Sequence, residues 1–156
     1  MVEMIMVMTL MILFGVTMFT LAAAGSRAQE KIIEGKNAQI DARIAVSYLN
    51  VKLRQNCAAG KIRIVPCPVA DGNAILIETR GEEDFDRWIF FSGGAIREYL
   101  CEAGGAPEPD FCLPIIGAEG FDTEYDPEKN LLTNTVFYTS GGETRRIVSS
   151  INLRVD

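Results

Sequence analysis

The sequence predicts an α+β protein: one long N-terminal helix whose first half is apolar and whose second half packs on an antiparallel β-sheet. Three observations predict it. Residues 4–24 form an uncharged run of 21 that holds five of the six methionines. Residues 30–56 then repeat apolar positions at three- and four-residue steps without a proline. From residue 61 onward the apolar period changes to two, and Gly-containing turns punctuate it.

Taken in order, the uncharged run forms a helix about 30 Å long, close to the hydrocarbon thickness of a bilayer. A membrane anchor over 1–28 and a head over 29–156 follow, with the head divided into a helix over 29–56 and a sheet over 61–155. Charge supports the division: residues 1–56 carry six Lys/Arg against four Asp/Glu, and residues 57–156 carry nine against seventeen. The acidic head argues against nucleic acid or an anionic membrane surface as its partner. The chain has no histidine, the commonest general base and nitrogen ligand. Orientation signals conflict. No Lys or Arg precedes the run and Arg27, Lys31 and Lys36 follow it, which by the positive-inside rule places the head in the cytoplasm. The cysteines point the other way. A cleaved signal peptide is a further alternative, since 22–24 and 26–28 both fit a small-x-small pattern.

The helix is expected over 3–56 as one piece, ending at Asn56 before the Ala-Ala-Gly that follows Cys57. Its sheet-facing stripe is read as Ile33, Asn37, Ile40, Ile44, Tyr48 and Val51, flanked by Leu49 and Leu53. Lys31, Glu34, Asp41, Lys52 and Arg54 are assigned to the opposite face. About six or seven strands follow in meander order: 61–66, 74–79, 85–91, 95–100, 119–125, 131–139 and 144–155. Turns at 71–73, 81–84, 92–94 and 140–142 separate them, with a Gly/Pro-rich loop at 101–112. Trp88 and Phe90 share one face of their strand and belong to the sheet core. In the last strand Ile147, Ser149, Ile151, Leu153 and Val155 point inward.

Four cysteines, Cys57, Cys67, Cys101 and Cys112, lie after the apolar run as C-x9-C and C-x10-C pairs. This is not the close spacing of zinc ligands. An even number beyond an anchor suits two disulfides in an oxidising compartment, Cys57 with Cys67 and Cys101 with Cys112, although four cysteines allow three connectivities and free thiols in a cytosolic head are the alternative. The acidic runs 82–86 and 122–128 read as solvated turns and strand edges, with calcium a minor alternative. No P-loop, dinucleotide fingerprint or nucleophile elbow occurs, so no cofactor and no enzymatic activity are expected.

The apolar half-helix, its amphipathic continuation and the sheet together resemble a type IV pilin or pseudopilin. ARIAVSYLNVKLRQN (42–56), DGNAILIET (71–79) and RWIFFSGGAIREYL (87–100) resemble, as an ordered set, a family of small pilin-like membrane proteins from Gram-positive bacteria. The resemblance implies a non-enzymatic, membrane-anchored assembly protein of a type II secretion-like or type IV pilus-like system. Its partners would be the lipid bilayer, other pilin-like subunits and assembly proteins, with the head outside the cytoplasm. Pilins are cleaved after a glycine and carry a glutamate at the fifth mature position. Glu3 is the candidate for that glutamate, neutralising a neighbour's terminal amine, but no glycine precedes it here. A polar residue at the membrane boundary is the other reading of Glu3. A tethered or secreted ligand-binding module that does not assemble is the alternative function.

Overall fold

The computed structural model describes residues 2–57, 60–81 and 84–153. Helix α1 runs unbroken from Val2–Gln55, 54 residues and about 80 Å at the usual rise. Its end is fixed by Asn56, whose Nδ2 donates to the Lys52 carbonyl at 2.8 Å and whose backbone N–H reaches the Leu53 carbonyl at 3.1 Å. Lys52 and Arg54 stand in the last turn, where the helix dipole favours cations.

Among the described residues eight strands follow: β1 (Ile62–Pro66), β2 (Asn73–Thr79), β3 (Phe85–Ser92), β4 (Ala95–Glu102), β5 (Leu113–Gly117), β6 (Gly120–Asp126), β7 (Leu131–Ser140) and β8 (Glu143–Asn152). They form two antiparallel meanders, a five-stranded sheet in the order β1-β2-β3-β4-β5 and a three-stranded sheet β6-β7-β8. This corrects the expectation of one sheet with six or seven strands. The additional strand is β5, which follows Cys112 directly and carries Pro114. Two hairpins turn on Gly-Gly pairs with left-handed backbone, Gly93 and Gly94 (φ 60 and 74) and Gly141 and Gly142 (φ 67 and 82). That is the geometry of the tight turn that matches strand twist.

The main core lies where α1 meets both sheets. Ala42, Ala45, Leu49 and Leu53 of the helix pack with Ile75, Ile77, Ile89 and Ile96 of the larger sheet and with Leu132, Val136, Tyr138 and Ile151 of the smaller. This corrects the helix face. Ile33, Ile40, Ile44 and Val51 are 49%, 53%, 51% and 51% exposed, while Gly35, Ala42, Ala45, Leu49 and Leu53 are buried. The physical reason is size. The strands under the helix project branched and aromatic side chains, so the helix approaches through glycine and alanine. At Gly35 an added Cβ would stand 2.9 Å from the Ser140 Oγ. Ile147, Ser149 and Ile151 of β8 and Leu153 just after it are the more buried set, as expected; Val155 lies outside the described residues.

The larger sheet is covered on its outer face as well. Ala74, Phe90 and Cys112 are buried there, with Val65, Cys67, Val69, Ala70, Trp88 and Tyr99 packed around them. The cover is made by the sheet's own connections, the β1–β2 turn and the long β4–β5 loop that contains a 3-10 turn at Pro109–Phe111.

Candidate functional site

Two features of the chain carry functional meaning, the uncovered surface of α1 and the four cysteines. In the first half of α1 every large apolar side chain from Val2 to Leu21 is exposed. Its polar atoms are internally satisfied: Thr9 Oγ1 donates to the Ile5 carbonyl at 2.8 Å, Thr17 to Phe14 at 2.8 Å, and Thr20 to Val16 and Thr17 at 3.0 and 2.9 Å. Such back-bonding lets hydroxyls enter hydrocarbon without an unmet donor. The helix is long and apolar enough to cross a membrane and is a candidate anchor. Glu3 lies exposed in its first turn, where the positive end of the helix dipole favours an acid.

Beyond this candidate anchor α1 carries two apolar stripes. At about 3.6 residues per turn, Gly35, Ala38, Ala42, Ala45, Leu49 and Leu53 fall on one side and Ile33, Asn37, Ile40, Ile44 and Val51 on the other. The first is buried under the sheets and the second faces outward. Glu34 and Asp41 flank the outward stripe on one edge, and Lys36 and Arg43 on the other.

Tyr48, expected in the stripe, serves a different purpose. Its hydroxyl donates to the Glu98 carboxylate. Glu98 also receives Arg87 Nε at 3.0 Å and Lys52 Nζ at 3.5 Å, and the Lys52 ammonium lies 5.5 Å from the centre of the Tyr48 ring. Burial and the neighbouring Glu98 push the Tyr48 phenol well above its usual value. This cluster clamps helix to sheet, and sequence reasoning does not anticipate it. A signal exists all the same: Arg87 and Glu98 each stand two positions from a core isoleucine, Ile89 and Ile96, on the inward phase of their strands.

The structure holds all four cysteines as thiols, and neither expected bridge is formed. Cys57 follows the helix beside Arg54 and the end of β8, in a crevice lined also by Ser150, Ile151 and Asn152. Cys67 lies on the outer face of the larger sheet. Cys101, on β4, is held with its sulfur 3.5 Å from the Asp86 and Gly105 carbonyls. The Cys112 thiol is buried and donates to the Glu108 carbonyl at 2.9 Å. Burial pushes both the Cys101 and Cys112 thiols up.

Of the acidic run 82–86, Glu82 and Glu83 lie outside the described residues. Asp84 accepts the Gly81 N–H at 3.0 Å, and Asp86 is buried between Arg80 Nη1 and the Gly104 N–H, both at 2.7 Å. In the run 122–128, Asp126 caps its turn by accepting the N–H groups of Glu128 and Lys129 at 3.0 and 3.3 Å. Hydrogen bonding to Lys129 holds its carboxyl below the usual range. All three aspartates thus have structural partners. Trp88 donates its Nε1–H to the Gly105 carbonyl at 3.1 Å and packs in the outer-face cluster with Phe90.

No curated protein and no solved structure matches the chain. One family model does, over residues 40–139, which takes in the second half of the helical head segment, the whole five-stranded sheet, β6 and most of β7. The chain belongs to the family described as a domain of unknown function, DUF4860.

Proposed function

We propose that the protein is a membrane-anchored, pilin-like assembly subunit, in which copies associate side by side through α1 and present their heads outside the cytoplasm. The observation that carries the proposal is the outward stripe Ile33, Ile40, Ile44 and Val51, half exposed on a helix whose other side is already packed. Copies anchored in one membrane with one orientation meet as parallel helices. The stripe repeats at four- and three-residue steps, as a coiled-coil seam does, and Asn37 within it suits the setting of register. In a parallel pair the acidic edge of one helix faces the basic edge of the other, bringing Asp41 toward Lys36 of its neighbour. The uncovered anchor continues the same contact into the bilayer. A minor pseudopilin of a type II secretion-like or type IV pilus-like system is the assembly this architecture fits. Within it Glu3 would meet a neighbour's terminal amine, and the proposal assigns no catalytic step.

The test is the oligomeric state of the full-length chain in mild detergent, measured by light scattering, for the wild type and for Ile40→Asp with Ile44→Asp. The wild type is expected to associate and the double variant to fall to the monomer with its circular dichroism unchanged. A wild type that is monomeric at all concentrations would overturn the proposal in favour of a tethered module that binds a ligand alone.

A further inference from the structure

The outer-face cluster of the five-stranded sheet brings together two cysteines from distant parts of the chain. Cys67 follows β1 and begins the β1–β2 turn, whose backbone is held by the bond from its own N–H to the Gly72 carbonyl at 3.0 Å. It continues the outward phase of Val65, which pairs with Ala74. Ala74 adjoins Phe90 on β3, and both are buried with Cys112. Cys112 arrives from the other side, at the end of the loop that leaves β4 and folds back over the sheet. That loop is fastened by Trp88 Nε1 to the Gly105 carbonyl and by Arg97 Nη1 to the Cys112 carbonyl, each at 3.1 Å. The other two cysteines are occupied elsewhere, Cys101 between two carbonyls at the end of β4 and Cys57 against β8.

We propose that Cys67 and Cys112 are the redox pair of the head, closing to a disulfide that fastens the β4–β5 loop to the β1–β2 turn. The thiol environments agree with this: burial is the main cause that pushes Cys112 up, and Cys67 adds to it. The oxidant is a small or protein disulfide. Cys67, the more exposed of the two, attacks it as thiolate and takes one sulfur as a mixed disulfide, releasing the first thiol. The Cys112 thiolate then displaces the second thiol and forms the Cys67–Cys112 bond. Two protein thiols are oxidised, one external disulfide is reduced to two thiols, and the protons lost by the cysteines are taken up by the leaving thiolates. Closure would pin the end of the loop that carries exposed Phe111 beside exposed Leu113 at the start of β5, fixing that apolar surface at the edge of the sheet. The disulfide closes within a single copy, whether or not copies assemble.

Its test uses the full-length chain in detergent, incubated with oxidised glutathione, blocked with N-ethylmaleimide and mapped by mass spectrometry after proteolysis. The expected product joins the Cys67 and Cys112 peptides and leaves Cys57 and Cys101 carrying maleimide. Cys101→Ser should retain the link, while Cys67→Ser and Cys112→Ser should each lose it. The wild-type map is decisive without any variant, so a variant that misfolds leaves the test intact. A link of Cys101 to Cys112 or of Cys57 to Cys67, or four maleimide-labelled cysteines, would overturn the proposal.

Discussion

Glu98 shows how much of this head depends on single polar side chains placed on an apolar face. It stands on the inward phase of β4, accepts hydrogen bonds from Tyr48 and Lys52 and forms an ion pair with Arg87. Its truncation leaves two cations and a phenol without their acceptor. Glu98→Ala is therefore expected to cost about 1.5–3 kcal/mol in urea unfolding, and Glu98→Gln less, since the amide oxygen still accepts. Tyr48 adds a pH signature. Its folded value lies above the ordinary 10.0, so its contribution is complete below that pH and is lost as pH rises past it, while the unfolded phenol ionises first. Tyr48→Phe should flatten the alkaline limb of the stability curve, and an unchanged limb would remove Tyr48 from the clamp. A second polar pair, Thr123 Oγ1 donating to Asn134 Oδ1 at 2.9 Å, is fully buried between β6 and β7. None of these partnerships is legible in the sequence, because each depends on strand register or on how the helix seats on the sheet. The charged residues that break the inward phase are visible there, but not what they meet.

The elements themselves are largely legible. Period-two runs and Gly-Gly turns locate seven strands, because a left-handed tight turn has few sequence solutions. β5 escapes because it is short, begins beside a Gly/Pro-rich loop and contains Pro114. Its place at the sheet edge explains the tolerance: an edge strand has N–H groups that need no ladder partner. The helix face misleads for a different reason. Hydropathy weights isoleucine above alanine and points the bulky stripe inward, yet close approach to a sheet favours small side chains. The two stripes make opposite predictions for head stability. Ala42→Leu, at a position 1% exposed, is expected to cost about 1–3 kcal/mol through overpacking. Ile44→Ser is expected to change the unfolding free energy by less than about 0.5 kcal/mol. Calorimetry of the full-length protein in detergent, diluted until light scattering reports the monomer, compares them directly, and a larger loss at Ile44 would return that side chain to the core.

For the molecule as a whole, the arrangement of layers assigns each side of α1 a separate role. Beyond the candidate anchor its small-residue side is consumed by the head, and its isoleucine side is left over. The outer face of the larger sheet is sealed by its own loops, and the apolar first half of α1 is exposed along its length, so among the described residues the uncovered apolar surface is concentrated on the helix. The α+β plan and the candidate anchor can be read from composition and period alone. The second sheet and the sealed outer face cannot, since both arise from how meanders stack after pairing. The central claim is that copies meet along the outward stripe, and photo-crosslinking in membranes of cells expressing the full-length chain tests it most directly. A benzophenone amino acid placed at Ile40 or Ile44 is expected to give an adduct of two copies, and one at Glu124, exposed on β6, is expected to give none. Membrane-inserted protein that yields no two-copy adduct at either isoleucine would contradict that claim.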